Sequence, residues 1–178
     1  MLIRIVEAKV NDYIKSKENK LLFVWGPRRS GKTTLLNKIA KENKVRIFNF
    51  DNQSDAALFI SRKEALEQIV KENKIILIDE VQTHPEATVA LKLLHDEFNV
   101  KVIATGSSEL RQKSQDFDSL AGRYIEEYCL PLSVYEIAEN SKVATYEKED
   151  LHMVMQRSLQ LYGAYPEVYA NENLTETE

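Results

Sequence analysis

The sequence predicts an α/β fold in which a parallel sheet lies between two layers of helices. Short, continuously apolar stretches recur along the chain, and amphipathic stretches of about three helical turns separate them. Continuously apolar strands are typical of a parallel sheet that is buried on both faces. The helices between them supply the right-handed crossovers that parallel strands require, so the predicted architecture has three layers.

The first part of the chain alternates helical and strand patterns. Apolar residues at helical spacing between positions 2 and 14 predict an amphipathic helix, or a strand followed by a helix. Strands are predicted at residues 21–26 and 45–51, with a helix at residues 32–43 between them. Ser61 and Glu64 have the spacing of a capping box, which predicts a helix from there to about Glu72.

The second part continues the alternation. Further strands are predicted at residues 75–81, 101–106 and 124–132, and residues 107–122 are polar and irregular with some helix. Thr83, Pro85 and Glu86 are typical of a helix start. The apolar stripe of that helix is Ala87, Ala90, Leu91, Leu94 and Phe98. Ligands of such sheets bind at the carboxyl ends of the strands, so a site is expected just after positions 25, 78 and 104.

Composition narrows the class of protein. The 178 residues are 43% hydrophobic and 29% charged with only 5 Gly and 4 Pro, which fits one globular domain without low-complexity linkers. Apolar runs are far shorter than the roughly 18 residues of a membrane helix, and the start lacks a secretory signal pattern. We therefore expect a cytoplasmic protein with no membrane contact. The single Cys129 excludes an internal disulfide, and the scattered histidines make a zinc site improbable.

Charge is distributed unevenly around a net value of −4. Residues 1–50 hold 12 lysines and arginines against 4 acidic residues. This basic third can serve an anionic ligand, or it can consist of solvated helix faces. The net negative charge argues against a protein that coats nucleic acid, but it does not exclude a local basic patch that binds nucleic acid.

The segment GPRRSGKT at residues 26–33 fits the pattern G-x-x-x-x-G-K-[ST] of a phosphate-binding loop. Glycines let the backbone N–H groups turn toward phosphate oxygens, and the following helix adds its positive N-terminus. Lys32 is expected at the β- and γ-phosphates, and the Thr33 hydroxyl at Mg²⁺. A glycine-rich surface turn is the alternative. The predicted nucleotide-binding residues are Gly26, Pro27, Arg28, Arg29, Ser30, Gly31, Lys32, Thr33 and Thr34.

Acidic and hydroxyl residues follow two later strands. Asp79 is predicted to hold the Mg²⁺ shell, and the adjacent Glu80 to polarise a water for in-line attack on the γ-phosphate. Two adjacent acids at the end of a buried strand are costly to desolvate unless a cation pairs with them. Thr105 and Ser107 are candidates for contacts with the γ-phosphate or the attacking water, and an ordinary turn is an equal alternative.

Several motifs in one order resemble a known family. They are GPRRSGKTTLL, ILIDEVQ, ATGSS, LAGR before a strand and PLSVYE, and YGAYPE. Together they resemble the prokaryotic AAA-like P-loop ATPases in which an AAA domain precedes a C-terminal domain of unknown function. The resemblance spans about residues 1–170 and implies a five-stranded sheet ordered 5-1-4-3-2, the cofactors ATP and Mg²⁺, and hydrolysis. Members usually continue about as far again, so a fragment or a shortened member is expected.

The resemblance also bears on individual residues and boundaries. It implies that Arg123 reaches the γ-phosphate of a neighbouring copy in a homo-oligomer, although a salt-bridged surface arginine is an equal alternative. Ser133 and Glu136 match the family motif and also form a capping-box pattern, the preferred interpretation. The side chains of Arg28 and Arg29 are expected to face away from the phosphates. The predicted divisions are an ATPase core at 1–140, a helical segment at 141–170 and a frayed tail at 171–178.

The leading functional hypothesis is an ATPase that acts as a motor or switch. A nucleotide-dependent module that binds DNA or protein with little hydrolysis is the alternative. A GTPase is disfavoured because no Asn-Lys-x-Asp guanine motif is present. A small-molecule kinase is disfavoured because Glu80 beside Asp79 favours activation of water, and no arginine-rich lid segment is evident.

Overall fold

Five parallel strands form a single sheet in the order β2-β3-β4-β1-β5. The structure is a computed structural model, and it describes residues 2–107, 119–140 and 163–167. Read from the other edge, the strand order is 5-1-4-3-2, so the predicted fold class and strand order are confirmed. The strands are β1 (Leu21–Gly26), β2 (Ile47–Asn49), β3 (Ile75–Asp79), β4 (Lys101–Ser107) and β5 (Tyr124–Tyr128).

Helices cover both faces of the sheet. They are α1 (Ile5–Lys15), α2 (Lys32–Asn43), α3 (Gln53–Ala56), α4 (Lys63–Glu72), α5 (Ala87–Glu97) and α6 (Val134–Asn140), with a 3-10 helix at Val81–Thr83. Side chains alternate between the two faces of a strand. In β1 this sends Leu21, Phe23 and Trp25 into a cluster with α4 and α5, whereas Leu22 and Val24 pack in a second cluster with α1 and α2. Strand β1 is therefore buried on both faces and apolar throughout.

For the chain before β1 the sequence predicted either one amphipathic helix or a strand followed by a helix. The structure has one helix there, α1, and its buried residues Val6, Val10 and Tyr13 face the sheet. Strand β2 has three residues instead of the seven predicted at 45–51. The unpredicted helix α3 follows it and is capped by Asn52, whose side chain accepts a hydrogen bond from the Ser54 N–H at 3.0 Å.

The capping box predicted at Ser61 is wrong. Helix α4 begins at Lys63, its N-cap is Arg62, and no side chain caps it. The Arg62 N–H donates to the Ile60 carbonyl at 2.7 Å, which keeps the chain outside the helix through Arg62. Ser61 consequently lies one position before the N-cap, where its hydroxyl is out of register for capping.

Two strands end earlier than predicted. Strand β3 ends at Asp79 because Glu80 adopts the left-handed conformation, with φ 55° and ψ 42°, and the 3-10 helix follows. Strand β5 ends at Tyr128, before Pro131, rather than at residue 132. Residues 108–118, most of the predicted segment 141–170 and the whole tail 171–178 lie outside the described residues. No helix within the described ranges is long and apolar enough to cross a membrane.

Candidate functional site

Residues 26–33 form a tight loop between β1 and α2, hereafter the phosphate loop. Arg29 and Gly31 both have positive φ, 63° and 100°, so the loop reverses direction within a few residues. Gly26 is packed so closely that a Cβ atom there would lie 2.1 Å from the carbonyl oxygen of Cys129. Only glycine fits at that position, because the chain after β5 passes directly against the loop.

The N-terminus of α2 opens toward the same loop. The first N–H groups of a helix have no partner within the helix, and no side chain caps α2 at Gly31. The first turn also carries no acidic residue. Free backbone donors and the positive end of the helix dipole therefore remain available to an anion.

Lys32 lies inside the phosphate loop. Its side chain is buried, and Nζ donates to the carbonyl oxygens of Gly26 at 2.9 Å and Pro27 at 2.8 Å. Burial lowers the pKa of Lys32 from its ordinary value, and the nearby carboxylates of Glu80 and Asp79 oppose that shift only in part. The two carbonyl groups that accept hydrogen bonds from the ammonium are uncharged. A bound phosphate would therefore place a negative charge directly beside this buried cation.

Asp79 is bracketed by two hydroxyl groups from neighbouring elements. Thr33 Oγ1 donates to Asp79 Oδ2 at 2.8 Å, and Thr105 Oγ1 donates to Asp79 Oδ1. The side chain of Thr105 is thus engaged with Asp79, although the sequence offered it as a contact of the γ-phosphate or the water. The carboxylate is buried yet satisfied, and it is fixed relative to both α2 and β4.

The oxygen atoms of Thr33 and Asp79 fit a magnesium ion. Mg²⁺ in nucleotide sites takes one or two protein oxygens and draws the remaining ligands from water and phosphates. Among the described residues no group of three or more His, Cys, Asp or Glu side chains could hold a metal. The Thr33–Asp79 pair therefore suits a metal that arrives with a nucleotide.

The Glu80 carboxylate has a different partner from that of Asp79, while the Glu80 N–H donates to Asp79 Oδ1 at 3.2 Å. Its carboxylate oxygen Oε2 accepts a hydrogen bond from Gln82 Nε2 at 2.6 Å. Its carbonyl oxygen accepts from the Thr83 N–H at 3.0 Å and from Thr83 Oγ1 at 2.8 Å. The left-handed backbone costs a residue other than glycine about 1–2 kcal/mol, which these contacts help to offset.

Two buried hydroxyls close to the phosphate loop lack partners. Within the described part of the chain, Ser30 Oγ and Ser107 Oγ are the buried side-chain oxygens or nitrogens without a hydrogen bond. Ser30 belongs to the loop, and Ser107 ends β4, which pairs with β1 at Gly26. A buried polar group without a partner is costly, so both positions favour a ligand with polar atoms.

A cavity of about 740 Å³ lies in front of the phosphate loop. Its volume is that of an ordinary small-molecule site. Residues from distant parts of the chain line it, including Leu2, Arg28, Lys32, Glu80 and Pro166. Arg28 therefore borders the cavity. The exposed side chain of Arg29 lies 3.6 Å from Glu167, and both residues line the same cavity. That the side chains of Arg28 and Arg29 face away from the phosphates stays a prediction.

Arg4 is a site residue that the sequence analysis missed. Its Nη1 donates to the Ser30 carbonyl at 2.7 Å, its Nη2 donates to the Leu130 carbonyl, and its Nε pairs with Glu136 Oε1 at 3.0 Å. One guanidinium thus joins the phosphate loop to the segment between β5 and α6. No local pattern identifies it, because Glu136 lies 132 positions away in sequence.

Glu136 completes this link and confirms the predicted capping box. The Ser133 N–H donates to Glu136 Oε2 at 2.9 Å, and the Glu136 N–H donates to Ser133 Oγ at 3.1 Å. Burial acts to raise the pKa of Glu136. Hydrogen bonds from the backbone of Ser133 and Ile5 and from Arg4 outweigh burial, so the net shift is downward.

We expect Glu136→Gln to destabilise the protein by about 1.5–3 kcal/mol at pH 7, because it leaves the partly buried Arg4 cation without its counter-charge. A carboxylate whose folded-state pKa is lowered stabilises the fold above its ordinary value of 4.5, and it loses that contribution as the pH falls through the folded-state pKa. The difference between wild type and variant in urea unfolding should therefore shrink in acid.

The matched control is Glu67→Gln, which removes a glutamate from an exposed pair with Lys71 on α4. Exposed helical pairs contribute only about 0.3–0.5 kcal/mol. An equal loss in the two variants, or a pH-independent loss in Glu136→Gln, would show that the Arg4 link does not stabilise the fold.

Arg123 lies at the opposite end of the sheet from the phosphate loop. It directly precedes β5, and its carbonyl accepts from the N–H of Leu21, at the start of β1. The length of β1 therefore separates it from its own loop by roughly 17 Å. Its Nε pairs with Asp96 Oδ1 at 2.8 Å, and hydrogen bonds from Arg123 and His95 lower the pKa of Asp96 to about 2.

The fold and the site together define a P-loop nucleotide-binding protein of the ATPase type. Residues 18–138 match the family described as the AAA domain, and the chain belongs to that family. The resemblance inferred from the motifs is thus confirmed.

Two proteins similar to this chain in sequence are both described as uncharacterized. An uncharacterized protein of Methanocaldococcus jannaschii is 28% identical over 96% of this chain and 35% of its own length. An uncharacterized protein of Haemophilus influenzae is 28% identical over 99% of this chain and 45% of its own length. The chain therefore spans less than half the length of these relatives.

Solved structures share the fold. PCH-2 of C. elegans has a TM-score of 0.59 at 16% identity, over 99% of this chain and 64% of its own. The Walker-type ATPase of Pyrococcus abyssi has a TM-score of 0.58 at 17% identity, over 93% of this chain and 65% of its own. AMPPCP-bound DnaA from Aquifex aeolicus has a TM-score of 0.50 at 16% identity, over 92% of this chain and 63% of its own.

Proposed function

We propose that this chain binds ATP with Mg²⁺ and hydrolyses it, and that it serves as a motor or switch. The observation that carries the proposal is the convergence of the phosphate loop, the Thr33–Asp79 pair and Glu80 at one edge of the sheet. A fold neighbour, DnaA, has been solved with AMPPCP bound, which supports a nucleotide as the ligand. The relatives leave the coupled process open.

The proposed mechanism assigns each group one task. Backbone N–H groups of the phosphate loop and the Lys32 ammonium bind the β- and γ-phosphates. Thr33 and Asp79 would hold Mg²⁺, which would neutralise charge on the phosphates. Glu80 accepts a proton from the attacking water, and the unpartnered Ser107 hydroxyl donates to the γ-phosphate side. Thr105 keeps Asp79 in place through its hydrogen bond.

We also propose that the protein assembles with copies of itself, and Arg123 is the residue on which this proposal rests. It lies too far from its own phosphate loop to act there, so any contact of its guanidinium with a γ-phosphate requires a second copy of the chain. To make that contact it must exchange its pair with Asp96, an exposed pair of the kind that contributes little to stability. The proposed assembly is therefore a homo-oligomer whose site is completed across the subunit boundary.

Phosphate release and ATP binding, measured over a hundredfold range of protein concentration, test both parts. The expected result is Mg²⁺-dependent binding and slow release, with a specific activity that rises with concentration. Arg123→Ala should abolish the rise and keep the ATP affinity within about 1 kcal/mol, because an arginine acting in trans serves mainly the transition state. The control Arg46→Ala removes another arginine paired with an aspartate of its own chain, Asp55.

The possible outcomes separate the alternatives. Binding without phosphate release, with or without DNA, would indicate the nucleotide-dependent binding module instead. A specific activity that is constant across the range, with Arg123→Ala equal to wild type, would make Arg123 a surface residue. Absence of ATP binding would contradict the proposal as a whole.

A further inference from the structure

Gln82 connects Glu80 to the end of strand β4. Its side chain is buried, with 7% of the residue exposed. The amide nitrogen Nε2 donates to Glu80 Oε2 at 2.6 Å, and the amide oxygen Oε1 accepts from the Ser107 N–H at 2.9 Å. One side chain therefore bridges the carboxylate proposed to activate water and the strand end that borders the phosphate loop.

The chemistry of the two partners fixes the orientation of this amide. A backbone N–H such as that of Ser107 can only donate, and an ionised carboxylate such as that of Glu80 can only accept. The oxygen of the amide must face β4, and its NH₂ group must face Glu80. A glutamate at position 82 could accept from Ser107 but would set a second negative charge against Glu80.

The surroundings leave the amide little freedom. A Cβ atom on Gly106 would lie 2.5 Å from Gln82 Oε1 and 2.4 Å from the ring of Trp25, so a residue larger than glycine would push against this amide. The buried Trp25 ring, in β1, forms the other wall. The Gln82 amide is thus confined on the side of β1 and β4, while another side of the residue borders the cavity.

Glu80 is held from both ends as a result. Thr83 binds its carbonyl oxygen twice, and Gln82 binds its carboxylate. Without Gln82 the carboxylate would regain rotamers that the buried amide now excludes. Displacement of a reacting group by about 1 Å can lower a rate by about 10².

We propose that Gln82 is a positioning residue that holds the Glu80 carboxylate in the orientation needed to activate water, with Ser107 as its anchor. The inference rests on the proposed function, because it requires that Glu80 acts in hydrolysis. It goes beyond that function in assigning the 3-10 helix after β3 a part in the reaction. The effect is expected in turnover and not in binding.

Two substitutions test the inference. Gln82→Ala removes both contacts, and Gln82→Glu keeps the size of the side chain and the Ser107 contact but repels Glu80. Each should lower kcat by roughly tenfold or more and change the Kd for ATP by less than about twofold. The control Gln68→Ala removes a glutamine that also donates to a glutamate, Glu72, on the exposed face of α4.

A double substitution separates positioning from a structural role. If Gln82 acts through Glu80, then adding Gln82→Ala to Glu80→Gln should change single-turnover hydrolysis by less than about twofold. A residue with only a structural role would lower the rate by the same factor in both backgrounds, and that result would overturn the inference. Gln82→Glu remains informative if Gln82→Ala does not fold.

The comparison also distinguishes failure of the inference from failure of the proposed function. Full activity of both Gln82 variants beside an inactive Glu80→Gln would overturn the positioning role alone. Full activity of Glu80→Gln would overturn the role of Glu80, and the positioning role with it.

Discussion

Glu80→Gln is expected to lower ATP turnover by roughly 10² or more while ATP still binds. The substitution preserves the size of the side chain and removes the negative charge that would take a proton from water. The phosphate loop and the Thr33–Asp79 pair remain intact, so binding of Mg·ATP should be unchanged. Phosphate release and titration calorimetry on the same preparation measure the two effects separately.

Asp79→Asn is the informative comparison, because the Asp79 carboxylate accepts from the hydroxyls of Thr33 and Thr105 whereas the Glu80 carboxylate accepts from Gln82. We expect Asp79→Asn to weaken metal-dependent binding and Glu80→Gln to leave it intact. Equal loss of metal-dependent binding in the two variants would refute this division of labour. Glu67→Gln, on the exposed face of α4, controls for the loss of one carboxylate.

Lys32→Ala is expected to weaken Mg·ATP binding at least tenfold, about 1.4 kcal/mol or more. The substitution removes the buried cation that the carbonyls of Gly26 and Pro27 hold inside the loop, and with it the proposed contact to the β- and γ-phosphates. The domain should remain folded, since the two apolar clusters of the sheet do not include this side chain. Titration calorimetry measures the affinity, and thermal unfolding confirms the fold.

Lys41→Ala is the matched control for Lys32→Ala. Lys41 is exposed, lies on the same helix α2, and is nine residues further along it, about 13 Å away. It tests whether loss of any positive charge from this basic part of the chain weakens binding. Undiminished affinity of Lys32→Ala would refute the assignment of residues 26–33 as the nucleotide site.

Features that depend on local pattern could be predicted from the sequence. Strands β1 and β3 are recognisable because burial on both faces makes their residues apolar, apart from Asp79 at the end of β3. The phosphate loop is recognisable because its glycines and Lys32 must occur at fixed spacing on one short segment. Strand β2 was overestimated, since an edge strand of three residues has too few positions to display a period.

Features that depend on contacts between distant segments could not be predicted. Arg4 acquires its place only when α1 and the segment after β5 meet at the phosphate loop, and nothing in its local sequence marks that meeting. Gln82 belongs to the motif ILIDEVQ, but its contact with Ser107 exists only once β3 and β4 are paired. Thr105 was placed at the correct strand end, yet its contact with Asp79 depends on that same pairing.

The position of β1 in the sheet sets the order in which the protein can fold during synthesis. This strand pairs with β4 and β5, whose first residues are Lys101 and Tyr124, so LLFVWG has no strand partner until those segments are made. At 5–20 residues per second the apolar strand waits on the order of ten seconds. The phosphate loop, against which Cys129 packs at Gly26, is therefore completed late.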